Sequence, residues 1–145
     1  MNIPTGVHIL LDREGRVLLQ RRAGTGFFDG QYSLPGGHVE EGESLFQTVI
    51  REAREELAID LAAESLTLIG AVHRRSDTHR IDFFVDAGAW RGEPCIAEPD
   101  KCDRLAWFAL EALPDETVPY IRSALGQARR PWIIEFGWSS GASPA

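Results

Sequence analysis

An amphipathic helix predicted between residues 44 and 57 constrains the fold of this chain more than any other feature. Its apolar side chains recur at helical spacing and share a stripe roughly 140° wide: Leu45, Phe46, Val49, Ile50, Ala53 and Leu57. Ser44 and Gln47 have the spacing of a capping box where the stripe begins. We therefore expect one face of this helix to lie against a hydrophobic core.

Short apolar runs on both sides of this helix predict strands. Residues 7–11 and 16–20 flank the turn-rich segment DREG, which predicts an opening β-hairpin. The other predicted elements are strands at 66–73, 80–87, 104–110 and 132–138, a short strand near 31–34, and a second helix at 118–130. This order places strands on both sides of one helix and a second helix late in the chain. It predicts an α+β fold in the form of an α/β/α sandwich with a mixed sheet.

Length and charge limit the possible functions. A chain of 145 residues has the usual size of one domain, and its net charge of −7 argues against long nucleic acid as a partner. No apolar run reaches the roughly 20 residues that cross a bilayer, and the first residues do not resemble a signal peptide. We therefore expect a cytoplasmic protein without membrane association, in which Cys95 and Cys102 are free thiols.

Three glutamates stand at the edge of the apolar stripe of the helix. Glu52, Glu55 and Glu56 are spaced i, i+3 and i+4, which places them within an arc of about 100°. Like charges at this spacing destabilise a helix, whereas hard oxygen ligands suit Mg²⁺ or Mn²⁺. The spacing alone leaves two interpretations open, a solvated acidic face and a metal site that binds a phosphorylated ligand.

A longer motif surrounds these glutamates. From Gly37 the segment continues through five residues to Glu43 and through seven more to the run REAREELAI, which begins at Arg51. This pattern closely resembles the signature of the Nudix (MutT-type) hydrolases, Gly-x5-Glu-x7-Arg-Glu-U-x-Glu-Glu-x-Gly-U, where U is aliphatic. Ala58 departs from it, because the family has glycine at this helix end, where glycine favours a left-handed turn.

The resemblance implies a fold and a reaction. The fold would be the Nudix α/β/α sandwich in a single domain at 1–145, with a core at about 7–125 and a C-terminal strand and tail at 131–145. The reaction would be the divalent-metal-dependent hydrolysis of a nucleoside diphosphate linked to another moiety, with a nucleoside tri- or diphosphate as the leading substrate class. The alternative is a catalytically silent Nudix-fold module that senses a nucleotide or sugar nucleotide. Such modules usually lose the motif glutamates, all of which this chain keeps.

The resemblance also assigns site residues. Glu52, Glu55 and Glu56, with the carbonyl of Gly37, would hold Mg²⁺ or Mn²⁺. Arg51 and Glu43 would pair with each other and orient the helix carboxylates. The general base would be a helix glutamate or, as in other family members, a glutamate on a later loop, for which the candidate is Glu98.

Substrate contacts are predicted beside the motif. Arg22, and less favourably Arg21, would meet a phosphate at the end of the second strand, although a surface role for either is equally open. Phe28 and Tyr32 could stack on a base or complete the core, and Arg75 borders the following hairpin.

The C-terminal segment is richer in apolar residues than an exposed tail. Trp132, Ile134, Phe136 and Trp138 alternate along it, as expected of a strand with one covered face. Such a strand could pack on its own sheet or form a dimer contact. Both a monomer and a homodimer are therefore expected possibilities.

Overall fold

The computed structural model of the chain describes residues 2–75, 78–128 and 130–138. Its two helices are α1 (Leu45–Leu57) and α2 (Pro119–Leu125). The strands are β1 (Thr5–Leu10), β2 (Asp12–Arg13), β3 (Arg16–Arg22), β4 (Tyr32–Ser33), β5 (Gly36–His38), β6 (Asp60–Leu61), β7 (Thr67–Arg75), β8 (His79–Asp86), β9 (Trp90–Arg91), β10 (Cys102–Ala109) and β11 (Trp132–Phe136). Short 3-10 turns occupy Ala63–Ser65 and Leu110–Ala112.

A five-stranded mixed sheet forms the centre of the fold. Its order is β11-β7-β8-β1-β5, with β1 parallel to β8 and β11 parallel to β7. Val7 and Ile9 of β1 pack with α1, whereas Leu10 on the opposite face belongs to the core beneath α2. The helices therefore cover opposite faces of the sheet, which confirms the predicted α+β fold with a mixed sheet.

The predicted opening hairpin is only partly present. The turn at 14–15 does join two paired strands, but these are β2 and β3, paired through Asp12 with Val17 and Arg13 with Arg16. β1 instead lies in the five-stranded sheet, and β3 pairs with β10 in a second sheet. The apolar residues of β1 indicate that the strand is buried, but they do not indicate which strand it pairs with. Its position in the sheet is set by long-range pairing with β8.

The predicted capping box of α1 is present. Ser44 Oγ accepts from the backbone N–H of Gln47 at 3.1 Å, and the Gln47 side chain accepts from the Ser44 N–H at 2.8 Å. At the other end Ala58 adopts the left-handed conformation, with φ 56° and ψ 36°. The chain therefore keeps the turn for which the family uses glycine, although alanine carries a Cβ that disfavours it.

Replacing Ala58 by glycine should stabilise the protein by about 1 kcal/mol, because the left-handed conformation strains a residue with a Cβ. Urea denaturation followed by circular dichroism measures this difference. The matched control is Ala62→Gly, because Ala62 is also exposed but has a φ of −101°. The control should lose stability through added freedom of the unfolded chain. Equal losses in both variants would contradict the proposed strain.

The C-terminal segment packs on its own sheet. β11 pairs with β7, and Trp132, Ile134 and Phe136 contact the core beneath α2. A Cβ on Gly70 would overlap the ring of Trp132, so glycine at this position makes room for the indole. Trp138 leaves this row, and its Nε1 donates to the His73 carbonyl at 2.9 Å. The oligomeric state stays a prediction.

Two further expectations concern the cysteines and membrane-spanning helices. Both cysteines are free thiols, with Cys95 exposed and Cys102 buried. Within the described residues, neither helix has the length and apolar character needed to cross a bilayer.

Candidate active site

A cleft of about 640 Å³ opens beside the N-terminal glycines of the motif. Glu52 and Glu56 of α1 line one part of it, and Glu98 reaches it from the loop before β10. Cationic side chains line other parts, namely Arg22, Arg74, Arg80 and Lys101. The cleft thus has acidic and basic regions within reach of one ligand.

Arg51 organises the acidic region. Its Nε donates to Glu43 Oε2 at 2.6 Å and its Nη2 to Glu43 Oε1 at 2.9 Å, a bidentate pair of the kind the resemblance implied. The hydrogen bonds from Arg51 are the main reason that the pKa of Glu43 falls to about 2. Arg51 Nη1 also donates to Glu52 Oε1 at 2.8 Å and to Glu55 Oε2 at 3.2 Å. One guanidinium therefore holds three glutamates of the motif.

Glu52 and Glu56 form a pair of neighbouring carboxyl groups. Burial raises the pKa of both, and the charge of Glu52 adds to the effect on Glu56, whose pKa is about 8. The Gly36 N–H donates to Glu56 Oε2 at 3.3 Å. Glu52 is buried and Glu56 is half-buried, and neighbouring carboxyl groups that are shielded from water favour sharing a proton or binding a cation.

The fit of a divalent metal can be judged from these contacts. Among the described residues, no three His, Cys, Asp or Glu side chains converge as a ready metal cage. Glu52 and Glu56 do meet at the cleft, and a Cβ on Gly37 would overlap the Glu52 carboxylate, so that the backbone passes directly beside it. Two carboxylates completed by water and substrate oxygens form a donor set that suits Mg²⁺. The residues present therefore fit a divalent metal.

Glu55 lies apart from this pair. Its side chain is exposed, contacts Arg51 and does not line the cleft. Its predicted role as a metal ligand stays a prediction.

Of the predicted substrate contacts, Arg22 and Phe28 line the cleft. Arg22 Nε donates to the Phe27 carbonyl at 2.8 Å and thereby holds the loop that carries Phe28. Phe28 has a positive φ of 53° and keeps its ring partly exposed at the cleft.

Three predicted contacts lie outside the cleft. Arg21 points to the other side of β3, where its Nε donates to Asp103 at 2.7 Å, because successive side chains alternate along a strand. Tyr32 is buried edge-on against Phe108 at 5.2 Å and completes the core. Arg75 is exposed and lies over the Trp138 ring at 5.7 Å.

A polar cluster lines the same cleft, and of its members the sequence pointed only to Arg74, which borders the hairpin after β7. The cluster comes from three strands and α2 and consists of His8, Arg74, Arg80, Asp82 and Tyr120. A signal for one of them was present, since Asp82 interrupts an apolar strand pattern in RIDFF and is fully buried. A buried carboxylate requires charged or hydrogen-bonding partners, but their identity depends on strands that are remote in sequence.

With fold and cleft established, comparison with known proteins identifies the family. The family description "NUDIX domain" matches residues 2–127. This chain belongs to the Nudix hydrolase family, and the predicted family is confirmed. A crystal structure of a MutT NUDIX hydrolase from Burkholderia pseudomallei matches with a TM-score of 0.81 and 34% identity, covering 89% of this chain and all of that one.

Two relatives represent the similar sequences. The NAD-capped RNA hydrolase NudC of Pseudomonas aeruginosa is 36% identical over 106 residues, which are 73% of this chain and 36% of NudC. The chain thus spans about a third of the length of that relative. The CTP pyrophosphohydrolase of Escherichia coli is 35% identical over 143 residues, covering 96% of this chain and 95% of that protein.

Proposed function

We propose that this chain hydrolyses a pyrophosphate bond of a nucleoside triphosphate with the help of a divalent metal. The observation that carries the proposal is the cleft in which the motif carboxyl groups of Glu52 and Glu56 face cationic and aromatic side chains. Anionic phosphates would be attracted to Arg22 and Lys101, and a base could contact Phe28. The relative that matches almost end to end, a CTP pyrophosphohydrolase, supports a free nucleotide as the substrate class.

Mg²⁺ or Mn²⁺ would be held by Glu52 and Glu56 together with substrate and water oxygens. When bound, such an ion supplies charge neutralisation on the phosphates and acidifies water. The motif residues themselves would do the rest. Arg51 fixes Glu43 and Glu52 in place through three hydrogen bonds, at 2.6, 2.8 and 2.9 Å, and donates a fourth to Glu55 at 3.2 Å. Preorganised carboxylates lower the cost of reaching the transition state.

Proton transfer from the attacking water requires a base in the cleft. Glu52, Glu56 and Glu98 are the candidates, because each lines the cleft. Glu98 is half-buried and pairs with the exposed Lys101, whose Nζ is 3.7 Å from Glu98 Oε2 and favours an ionised carboxylate held by its own partner. We infer that a helix glutamate, not Glu98, accepts the proton.

Glu98→Gln should therefore keep kcat within about tenfold of the wild type, whereas Glu52→Gln should lower it at least a hundredfold. Both variants are to be compared at saturating Mg²⁺, so that weaker metal binding does not mimic loss of the base. A loss with Glu98→Gln as large as that with Glu52→Gln would overturn the helix-base inference and favour the loop glutamate.

The proposed activity is tested with a product assay at mildly alkaline pH, with Mg²⁺ or Mn²⁺. The substrates are nucleoside triphosphates, oxidised nucleotides, ADP-ribose, nucleotide sugars and dinucleoside polyphosphates. We expect release of pyrophosphate or phosphate from a triphosphate, and loss of this turnover in Glu55→Gln would test the predicted metal role of Glu55. Saturable nucleotide binding with no turnover of any substrate would overturn the proposal and favour the sensor module.

A further inference from the structure

A buried ion network, formed by Asp82, Arg74, Arg80 and His8, lines the cleft away from the glutamates of α1. The Asp82 side chain is 0% exposed and accepts from Arg74 Nε at 3.2 Å and from Arg80 Nη2 at 3.1 Å. His8 Nε2 lies 3.4 Å from Asp82 Oδ1. Burial alone would raise the pKa of Asp82, but the cationic and imidazole partners outweigh it and hold that pKa below its usual range. The carboxylate therefore stays ionised and fixes the two arginines.

The register of the sheet gives the position of this Asp82 network. Gly36 of β5, whose N–H contacts Glu56, is paired with His8 of β1, and Asp82 of the next strand, β8, is paired with Gly6. Two strand spacings separate β5 from β8, which is roughly 10 Å. This distance is within the reach of a nucleotide whose phosphates lie at Glu56.

Arg80 has hydrogen-bond donors that its contact with Asp82 does not use. Its side chain is 18% exposed, and among the described residues its guanidinium makes one hydrogen bond, to Asp82. Its Nε is buried with no hydrogen-bond partner in that part of the chain, and so is Nδ1 of His8, whose Nε2 faces Asp82. Buried polar atoms that lack partners are costly, and a cluster of them in the wall of a cleft points to a polar ligand.

The surroundings of Arg80 are shaped around its head group. A Cβ on Gly6 would come within 2.6 Å of Arg80 Nη2, so glycine at this position leaves room for the guanidinium. Tyr120 packs against Arg74 at 4.3 Å and against the edge of Phe28 at 6.2 Å. Phe28 keeps 37% of its surface exposed. The aromatic surface of Phe28 and Tyr120 thus lies in the same cleft as Arg80, which suits a planar ring with acceptors on its edge.

We propose that the Asp82 network reads the base of the substrate, with Arg80 donating to two neighbouring acceptor atoms. This inference rests on the proposed function and narrows its substrate class. Cytosine offers such a pair at O2 and N3, and guanine offers one at O6 and N7, the edge that arginine reads in DNA. Adenine and uracil place an N–H donor beside the acceptor instead. A guanidinium, which only donates, cannot satisfy that donor.

The proposal predicts a base preference that depends on Arg80. For the wild type, kcat/KM should be at least tenfold higher with CTP or GTP than with ATP or UTP, mainly through KM. Arg80→Gln should reverse this order, because an amide offers one donor and one acceptor. Arg80→Lys keeps the charge beside Asp82 but lacks the fork, and it should bring the four substrates within a few-fold of one another. Arg91→Gln, at an exposed arginine of β9, is the matched control and should leave the order unchanged.

Binding separates this inference from the proposed activity. CTP, GTP, ATP and UTP are titrated calorimetrically in EDTA into the wild type and each folded variant, with thermal melts as the folding check. A preference for CTP or GTP that Arg80→Gln reverses supports base recognition by Arg80 even if no nucleotide is hydrolysed. Comparing CTP with GTP shows whether the preferred base is cytosine or guanine. Three results would overturn base recognition by Arg80, whatever the turnover. They are equal binding of all four nucleotides, a preference that is unchanged in both Arg80 variants, and no binding of any nucleotide.

Discussion

Glu56→Gln is expected to lower kcat by about three orders of magnitude. The amide has the shape of the carboxyl group and can still accept from the Gly36 N–H, which lies 3.3 Å from Glu56 Oε2. It cannot carry the negative charge that a divalent metal or a proton acceptor requires. The fold should therefore survive while the chemistry is lost.

Steady-state kinetics with the nucleotide that the wild type turns over fastest would measure this effect. Glu41→Gln is the matched control, because Glu41 is an exposed glutamate in the loop before α1 and does not line the cleft. It should retain wild-type turnover. A Glu56→Gln enzyme within tenfold of the wild type would place the reaction elsewhere in the cleft.

The same substitution should change how stability depends on pH in the absence of metal. Burial first, and the charge of Glu52 second, raise the pKa of Glu56 from 4.5 to about 8 in the folded protein. The folded state therefore holds this proton more tightly than the unfolded chain. The resulting stabilisation is complete below pH 4.5 and is lost as the pH rises toward 8.

We expect a few kcal/mol of the free energy of unfolding to be lost from this source between pH 5 and pH 8, and Glu56→Gln to abolish that loss. Urea denaturation in EDTA at several pH values would measure it. The comparison with Glu56→Gln is necessary because other groups titrate in the same interval, among them His38, whose pKa is lowered mainly by burial. Parallel pH profiles for the two proteins would contradict the assignment.

Divalent ions should restore the stability lost at pH 8 in the wild type. A bound cation favours the ionised carboxylates, so metal binding and proton release are linked. Glu56→Gln should gain much less from the same concentration of Mg²⁺. The carboxyl groups of the Nudix motif that suit metal binding would then also lower the stability of the metal-free protein.

The motif and the helix could be predicted because their interactions are local. The stripe from Leu45 to Leu57, the Ser44 capping box and the Glu43–Arg51 pair all join residues within a few helical turns. Even Ala58, which departs from the family pattern, keeps the left-handed turn, and its N–H donates to the carbonyls of Ala53 and Arg54 at the end of the helix.

The substrate side of the cleft depends on longer-range pairing. Both Arg21 and Arg22 were candidates from the sequence, with Arg22 preferred, and the pleat of β3 directs Arg21 to Asp103 and Arg22 into the cleft. Tyr32 and Phe28 were both aromatic residues in one loop, and packing against Phe108 removed only Tyr32 from the cleft.

The sequence by itself determined the family, the amphipathic helix and the carboxylates available for chemistry, because each is expressed over a short stretch of chain. The tertiary structure alone decided which side chains meet at the cleft. It moved β1 from the expected hairpin to a place beside β8, and this pairing brings His8 next to Asp82. Contacts between residues more than seventy positions apart are set by the burial of whole strands, which no local pattern specifies.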